Sequence, residues 1–275
     1  IDGNQAVAEA ATAAGLQFFA GYPITPSTEV MQWLTIHLPR FGGRVVQAED
    51  EISAMGMVCG ASFAGARAMT TTSGPGLSLK TELIGMASMA ELPCVIVDVQ
   101  RGGPSTGLPT KGEQSDLYQA LFSAHGDAPR PVLAPYDART AIDLMFEAFK
   151  LAETYQTPVI VLSDGFLAQA KQACDMPDLS DRKRFPVVYR RVPTQAELDA
   201  GYKRFAFTQD HISPMAIPGT KGGNYLASGI EHDEVGRPFS DAPLHQAMNA
   251  KRIEKLEPIR KRSDLTITLG DANAK

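Results

Sequence analysis

Apolar and polar positions follow a regular succession over the first 165 residues, where short apolar runs alternate with longer helical repeats. The apolar runs predict strands over 16–22, 44–49, 67–73, 93–100, 131–136 and 158–164. Between them, apolar residues spaced three and four positions apart predict helices over 4–15, 26–38, 50–66, 77–91, 115–125 and 138–155. This β-α-β succession predicts a Rossmann-like α/β fold, in which helices cover both faces of a parallel sheet.

The carboxyl ends of the predicted strands are where we expect a ligand site. The run PCVIVDVQ is almost entirely apolar, as is typical of a strand buried on both faces of a parallel sheet. In such sheets ligands bind beyond the carboxyl ends of the strands. The four loops that follow Tyr22, Glu49, Thr72 and Gln100 are therefore the candidates for chemistry.

The pattern changes beyond Phe166. Residues 171–240 are rich in proline, glycine and charge, with few periodic runs, and predict an extended C-terminal arm. Disorder is the alternative for this arm, although its aromatic content is higher than disordered chains usually have. Residues 241–263 predict a charged helix or linker, and 264–275 the start of a further unit, so we expect the natural polypeptide to be longer.

Composition narrows the classes of protein. The 275 residues are 44% hydrophobic and 21% charged with a net charge of −5, an ordinary globular balance. Scattered lysines and arginines argue against nucleic acid as a partner, and the apolar runs are too short for a membrane helix. Cys59, Cys94 and Cys174 lack metal-ligand spacing and no secretory signal is visible, so we expect a cytoplasmic chain without a metal site.

The first two candidate loops each have an ordinary and a functional interpretation. In YPITPS, Pro23 and Pro26 fix two backbone angles and would hold Ile24 and Thr25 still, although rigid turns of this kind are common. In the second loop, consecutive acids at 49–51 open a small, apolar helix, where acids favour the helix N-terminus in any protein. The functional alternative is that one carboxylate points into the crevice and does acid–base work.

The third and fourth loops carry glycines and cations. Ser73–Gly76 would let a backbone approach a ligand closely, but it matches neither a dinucleotide fingerprint nor a P-loop. The thirteen residues Arg101–Glu113 are long for such a connection. Arg101 and Lys111 could bind a carboxylate substrate, while a solvated surface loop is the alternative.

Taken in order, these loops resemble a known family. YPITP, EISAMG, TTTSGPG and DVQRGGPSTGLPTKGEQSD, with SPMAIPG and EHDEVGRP in the arm, resemble the alpha subunit of 2-oxoacid:ferredoxin oxidoreductases, most closely the 2-oxoglutarate type. The resemblance implies a thiamine diphosphate-dependent enzyme that oxidatively decarboxylates a 2-oxoacid to an acyl-CoA, with CoA as co-substrate. Electrons would pass through [4Fe–4S] clusters to ferredoxin.

The resemblance assigns cofactor contacts to this chain. Residues 1–170 would be the pyrimidine-binding domain. An acid at the Glu51 position in this family hydrogen-bonds the aminopyrimidine ring and favours the tautomer that deprotonates the thiazolium carbon. Ile24, Ser73 and Gly74 would also contact the cofactor.

It also assigns substrate contacts. Thr25 would contact the carboxylate or the 2-oxo group, and Arg101 would pair with the carboxylate. Lys111 would hold the distal carboxylate of a dicarboxylic substrate, and 2-oxoglutarate, converted to succinyl-CoA, is therefore preferred over pyruvate. A pyruvate or broad-specificity relative, an acetolactate synthase-like carboligase and a non-catalytic scaffold subunit are the alternatives.

Two motifs of thiamine enzymes and ferredoxin-linked enzymes do not occur in the sequence. It lacks the Gly-Asp-Gly and distant Asn that hold Mg²⁺ and the diphosphate, and it lacks cluster-binding cysteine sets. The resemblance places both on a beta subunit in an α2β2 assembly that reduces ferredoxin. We therefore expect an active site between chains, and an inactive chain on its own.

Overall fold

A single parallel sheet forms the centre of the protein. The computed structural model describes residues 1–266. Its strands are β1 (Phe18–Gly21), β2 (Arg44–Gln47), β3 (Ala68–Thr72), β4 (Cys94–Gln100), β5 (Val132–Leu133) and β6 (Pro158–Asp164). They lie in the order β2-β1-β3-β4-β6-β5, and every neighbouring pair is parallel. The predicted fold class is confirmed.

Helices cover both faces of this sheet. They are α1 (Gly3–Ala13), α2 (Thr28–His37), α3 (Glu51–Phe63), α4 (Gly74–Met89), α5 (Leu117–Phe122), α6 (Ala138–Tyr155), α7 (Gly165–Gln169), α8 (Gln195–Asp199), α9 (Ala242–Glu254) and α10 (Glu257–Arg260), with a short 3-10 helix at Leu38–Phe41. The cluster on one face includes residues of α1, α2, α6 and α7, and the other includes residues of α3, α4 and α5. Within residues 1–266, no helix is long and apolar enough to cross a membrane.

Strand β4 is buried on both faces, as the composition of the run PCVIVDVQ predicted. In β4, Val95 and Val97 pack into one cluster, while Cys94 and Ile96 pack into the other. Each fully buried valine or isoleucine contributes about 1.5–3 kcal/mol by leaving water. Asp98 is the one charged residue in this strand, and it is fully buried.

Two predicted elements are shorter in the structure. The run 131–136 predicted a strand, but β5 is only Val132–Leu133, because the flanking prolines at 131 and 135 have no N–H to donate to a ladder.

The single helix predicted over 241–263 is divided into α9 and α10. Pro258, in the first turn of α10, lacks an N–H and would clash with a carbonyl four residues earlier, so α9 ends at Glu254. The further unit predicted from residue 264 falls mostly on 267–275, outside the described residues.

Buried arginines hold the arm against the sheet domain. Arg190 donates to both carboxylate oxygens of Glu153 on α6, at 2.9 and 2.7 Å, and to the Ser62 carbonyl on α3 at 2.7 Å. Since α3 and α6 lie on opposite faces of the sheet, this one side chain ties both layers to the arm. The arm has little regular structure, yet Phe185 packs into the core cluster of α1, α2, α6 and α7, and Phe205 is fully buried.

Candidate active site

The four candidate loops meet at one edge of the sheet. They follow β1, β2, β3 and β4, which are neighbours in the order β2-β1-β3-β4. Because these strands are all parallel, their carboxyl ends lie on the same side. Tertiary structure therefore brings together loops that are up to about 80 residues apart in the sequence, as expected for an α/β ligand site.

The three consecutive acids of the second loop have different environments. Asp50 is the N-cap of α3 and accepts a hydrogen bond from the Ser53 backbone N–H at 2.7 Å, which holds the pKa of Asp50 below its usual value. Glu49 is exposed, whereas Glu51 is 7% exposed. Since Asp50 already caps the helix, Glu51 is left as a buried carboxyl group with no capping role.

Helix α4 approaches the Glu51 side chain very closely. A Cβ atom built on Gly76 would lie 2.1 Å from Thr72 Oγ1 and 2.8 Å from both Cγ and Oε1 of Glu51. Such distances are far below van der Waals contact, so only glycine fits at this position. The second glycine of the SGPG loop thus permits the packing that encloses the acid.

The YPITP corner is held by backbone contacts. Asn4 donates to the Pro26 carbonyl at 2.7 Å, and the Ser27 hydroxyl donates to the Ile24 carbonyl at 3.0 Å. Helix α2 begins at Thr28, directly after the corner. Ile24 and Thr25 are half-buried at the carboxyl end of β1, where the prolines were expected to hold them.

Arg101 joins the first loop to the fourth. Its guanidinium is buried and donates to the carbonyls of Thr25 and Thr106, each at 2.6 Å. A cleft of about 610 Å³ runs beside it, and its lining includes Gly74, Ser78 and Asp116. The structure therefore groups Arg101, Thr25 and the start of α4.

Lys111 lies apart from this cleft. It is exposed and lines a separate groove of about 370 Å³ together with Pro26 and Phe166. The two grooves border the same corner, because Arg101 binds the Thr25 carbonyl and Pro26 is the next residue. A ligand reaching both cations would have to extend across the corner.

Comparison with known proteins identifies the family. A protein-family model described as pyruvate flavodoxin/ferredoxin oxidoreductase, thiamine diphosphate-binding, matches residues 9–251. The chain belongs to this family. The resemblance indicated by the loop motifs is thereby confirmed.

Relatives of the 2-oxoglutarate type are among the similar proteins. The 2-oxoglutarate synthase subunit KorA of Methanothermobacter thermautotrophicus is 42% identical over 253 residues, 92% of this chain and 65% of that protein. The 2-oxoglutarate oxidoreductase subunit KorA of Mycobacterium tuberculosis is 40% identical, over 94% of this chain and 40% of that protein.

A solved structure has the same fold. The 2-oxoglutarate:ferredoxin oxidoreductase from Magnetococcus marinus, with 2-oxoglutarate, coenzyme A and succinyl-CoA bound, superposes with a TM-score of 0.91 at 48% identity. The match covers 94% of this chain and 44% of that one. The chain thus spans between two fifths and two thirds of the length of these relatives.

Three polar side chains lie near the start of α4, namely Ser73, Asp98 of β4 and Asp116 before α5. Ser73 was predicted as a cofactor contact, and its buried Oγ has no hydrogen-bond partner within residues 1–266. Asp116 was not predicted from the sequence. It lies so close to α4 that a Cβ atom on Gly74 would be 2.8 Å from its Oδ2. The fully buried Asp98 faces Asp116, and burial together with that neighbouring charge raises the pKa of Asp98 well above its usual range.

Burial raises the pKa of Asp116 as well, so the environment of both carboxyl groups favours their protonated forms. The signal in the sequence was the lone acid in the apolar run PCVIVDVQ. An acid in the middle of a two-sided buried strand needs a partner, and here the partner comes from another loop.

Lys80 is a further residue that the sequence interpretation missed. It is fully buried on α4, and its Nζ donates to the Glu51 carbonyl at 3.0 Å. Burial lowers the pKa of Lys80 to about 8, although the charges of Glu51 and Asp50 act to raise it. Lys80 lies on the apolar stripe between Leu77 and Ile84, and a cation at such a position is the signal that could have revealed it.

Replacing Gly76 by alanine tests the close approach of α4 to the acid. We expect Gly76→Ala to lower the free energy of unfolding by about 1–3 kcal/mol through overpacking. Gly85→Ala on the same helix is the matched control, because a Cβ there meets nothing within 4 Å. It should be neutral or stabilise the helix by up to about 1 kcal/mol. Equal urea midpoints for the two variants would contradict this account.

The buried lysine predicts a specific pH dependence of stability. Because the pKa of Lys80 is about 8 in the folded chain and about 10.4 in the unfolded chain, the unfolded state binds more protons in this interval. The free energy of unfolding should therefore gain up to about 3 kcal/mol from this group as pH rises from 8 to 10.5.

Urea denaturation across that range should show a smaller rise for Lys80→Met than for the wild type. Lys171→Met, at a 75% exposed lysine, should follow the wild-type curve. If the Lys80→Met and wild-type curves run parallel, the rise in the free energy of unfolding with pH does not come from Lys80.

Proposed function

We propose that the chain is the thiamine diphosphate pyrimidine-binding part of an alpha subunit of 2-oxoglutarate:ferredoxin oxidoreductase. The reaction is the CoA-dependent oxidative decarboxylation of 2-oxoglutarate to succinyl-CoA, with release of CO2 and reduction of ferredoxin. The observation that carries the proposal is the buried Glu51 carboxyl, enclosed by the SGPG turn in a chain of this family. The names of the 2-oxoglutarate relatives and of the solved structure support the substrate.

The residues present fit an aminopyrimidine ring. Glu51 offers a buried carboxyl that can hold a proton against a ring nitrogen, and the unpartnered Ser73 hydroxyl can bind a ring substituent. Gly74 presents its backbone without a side chain, and Ile24 offers an apolar contact from the first loop. When bound, thiamine diphosphate supplies the electron sink for loss of CO2.

Thr25 and Arg101 are the proposed contacts for the reacting end of the substrate. Arg101 is a permanently charged group held at the corner by two carbonyls, so its field favours a carboxylate beside Thr25. Lys111 is the proposed contact for the distal carboxylate, and the substrate would cross the corner between the two grooves to reach it.

The proposed enzyme needs a second subunit. We infer that a beta subunit holds the Mg²⁺-bound diphosphate end and the [4Fe–4S] cluster, in an α2β2 assembly with ferredoxin as acceptor. Within the chain, we propose residues 1–170 as the pyrimidine-binding domain, 171–240 as an arm, 241–263 as a linker and 264–275 as the start of another unit.

Reduction of ferredoxin or methyl viologen by the purified assembly tests this function. The chain is co-expressed with its beta subunit and assayed with 2-oxoglutarate, with and without CoA, and with pyruvate in parallel. We expect reduction that requires CoA and is faster with 2-oxoglutarate. Absence of CoA-dependent reduction with either substrate would refute the oxidoreductase, and a carboligase would instead condense 2-oxoacids without reducing the dye.

A further inference from the structure

An arginine at the far edge of the sheet has two buried nitrogens that find no partner in the described part of the chain. Arg130 lies two residues before Val132, the first residue of the edge strand β5, and is 7% exposed. Its Nε and Nη1 are buried and make no hydrogen bond to any residue in the described part of the chain. Two other buried arginines behave differently, since Arg190 binds Glu153 and Arg204 binds the Glu91 carbonyl at 2.7 Å.

No counter-charge for Arg130 is found among residues 1–266, where no carboxylate forms an ion pair with it. Asp127 lines the same pocket, but its Oδ2 accepts a hydrogen bond from Asn249 at 3.1 Å. Burial lowers the pKa of Arg130, and no neighbouring charge offsets this effect. Buried donors of a charged group that lack an acceptor, here Nε and Nη1, destabilise a chain until a carboxylate or another acceptor reaches them.

The surroundings of Arg130 are apolar and open. It lines a pocket of about 360 Å³ with Leu121, Phe122, Pro129 and Ile253. The adjoining helix α5 presents Tyr118 and Phe122 to solvent, 76% and 71% exposed, with their rings stacked at 6.2 Å between centroids. Aromatic side chains beside an arginine are typical of the centre of a protein–protein interface.

We propose that this α5–Arg130 surface, formed by Leu117–Phe122 and Arg130, docks the second subunit of the enzyme, which places a carboxylate side chain on Arg130. The proposal rests on the proposed function, which requires such a subunit. A small free anion could neutralise Arg130, but it would leave the exposed rings of α5 in water. A protein carboxylate surrounded by apolar side chains satisfies the charge and covers the rings together.

Substitution of Arg130 should have opposite effects on the isolated chain and on the complex. Arg130→Met removes the charge and keeps an unbranched side chain that can line the same pocket. We expect the melting temperature of the isolated chain to stay the same or rise. The dissociation constant for the purified beta subunit, measured by biolayer interferometry, should increase about 10-fold or more.

Arg184→Met is the matched control. Arg184 is 52% exposed and pairs with Asp143 on α6, on the face of the sheet opposite α5. Its substitution should leave the dissociation constant unchanged. In hydrogen–deuterium exchange, residues 117–133 of the wild-type chain should be protected when the beta subunit binds.

The outcomes separate this inference from the proposed function. If the wild-type chain and Arg130→Met bind the beta subunit equally well, the docking surface is wrong while the proposed function stands. A lower melting temperature of isolated Arg130→Met would show that Arg130 already has an internal partner, which also overturns the inference. Arg130-dependent stabilisation of the isolated chain by phosphate or acetate, without any effect on assembly, would mean a small-anion site instead. If the wild-type chain binds no such subunit, both proposals fall.

Discussion

Glu51→Gln in the assembled enzyme is expected to lower kcat for viologen reduction by about 10²–10⁴-fold, the usual contribution of a positioned acid–base group. Glutamine has nearly the same shape, so it should fill the space beside Gly76 without disturbing α4. It cannot hold and release a proton as the carboxyl group does. The loss should therefore appear in kcat, while the folded state and its urea midpoint remain close to wild type.

Glu49→Gln is the control for this experiment, because Glu49 lies two residues away, carries the same charge and is exposed. It should retain nearly full turnover. Calorimetric titration of thiamine diphosphate into both variant complexes measures cofactor affinity. It therefore separates a loss of cofactor binding from a loss of catalytic rate. Turnover of Glu51→Gln at the wild-type rate would remove the catalytic assignment and favour a scaffold subunit.

Glu91→Gln is expected to destabilise the chain by about 3–5 kcal/mol, since it removes the acid from a buried group of charges. The Glu91 carboxylate accepts hydrogen bonds from Lys251 and Lys255 at the end of α9. Burial alone would raise the pKa of Glu91, but these lysines and Arg204 lower it far below its usual range. Without this acid, two buried ammonium groups lose their counter-ion.

Urea denaturation at pH 7 measures the effect, with Glu82→Gln as the control. Glu82 is an exposed acid on α4, so its substitution should change the free energy of unfolding by no more than about 0.5 kcal/mol. The pH dependence of this stabilisation follows from the lowered pKa of Glu91. The stabilisation by Glu91 should be complete above pH about 4.3, the unfolded value, and should be lost only as pH falls toward the lower folded value. Equal losses for the two variants would contradict the buried ion group.

The sequence was informative about this site where a residue broke the local pattern. Glu51 was selected from three consecutive acids through a motif, and the structure adds the reason, because Asp50 caps α3 and Glu51 is buried. Asp98 and Lys80 also break apolar patterns, yet their partners come from other loops and helices. Pairwise spacing along one element cannot predict those partners.

The burial of Arg130 could not be predicted from the sequence. The local sequence PRPV describes an ordinary entry into an edge strand, and an arginine there is usually solvated. The pocket beside it is lined by α5, which is near in sequence, and by Ile253 of α9, which is distant in sequence. The lack of a partner is a property of the whole packing, and no pattern along the chain reports it.

By itself, the order of apolar and polar residues determined the parallel α/β sheet, its layers and the edge at which four loops meet. Side-chain periodicity specifies which face of each element is buried, and parallel connectivity then specifies which loop ends share an edge. Only the tertiary structure decided which acid is enclosed, that Arg101 is held by two carbonyls, that Lys111 lies on a separate groove, and that Nε and Nη1 of Arg130 have no partner within residues 1–266. These depend on distances of a few ångströms between elements far apart in sequence, where packing and desolvation set the energies and local propensity does not.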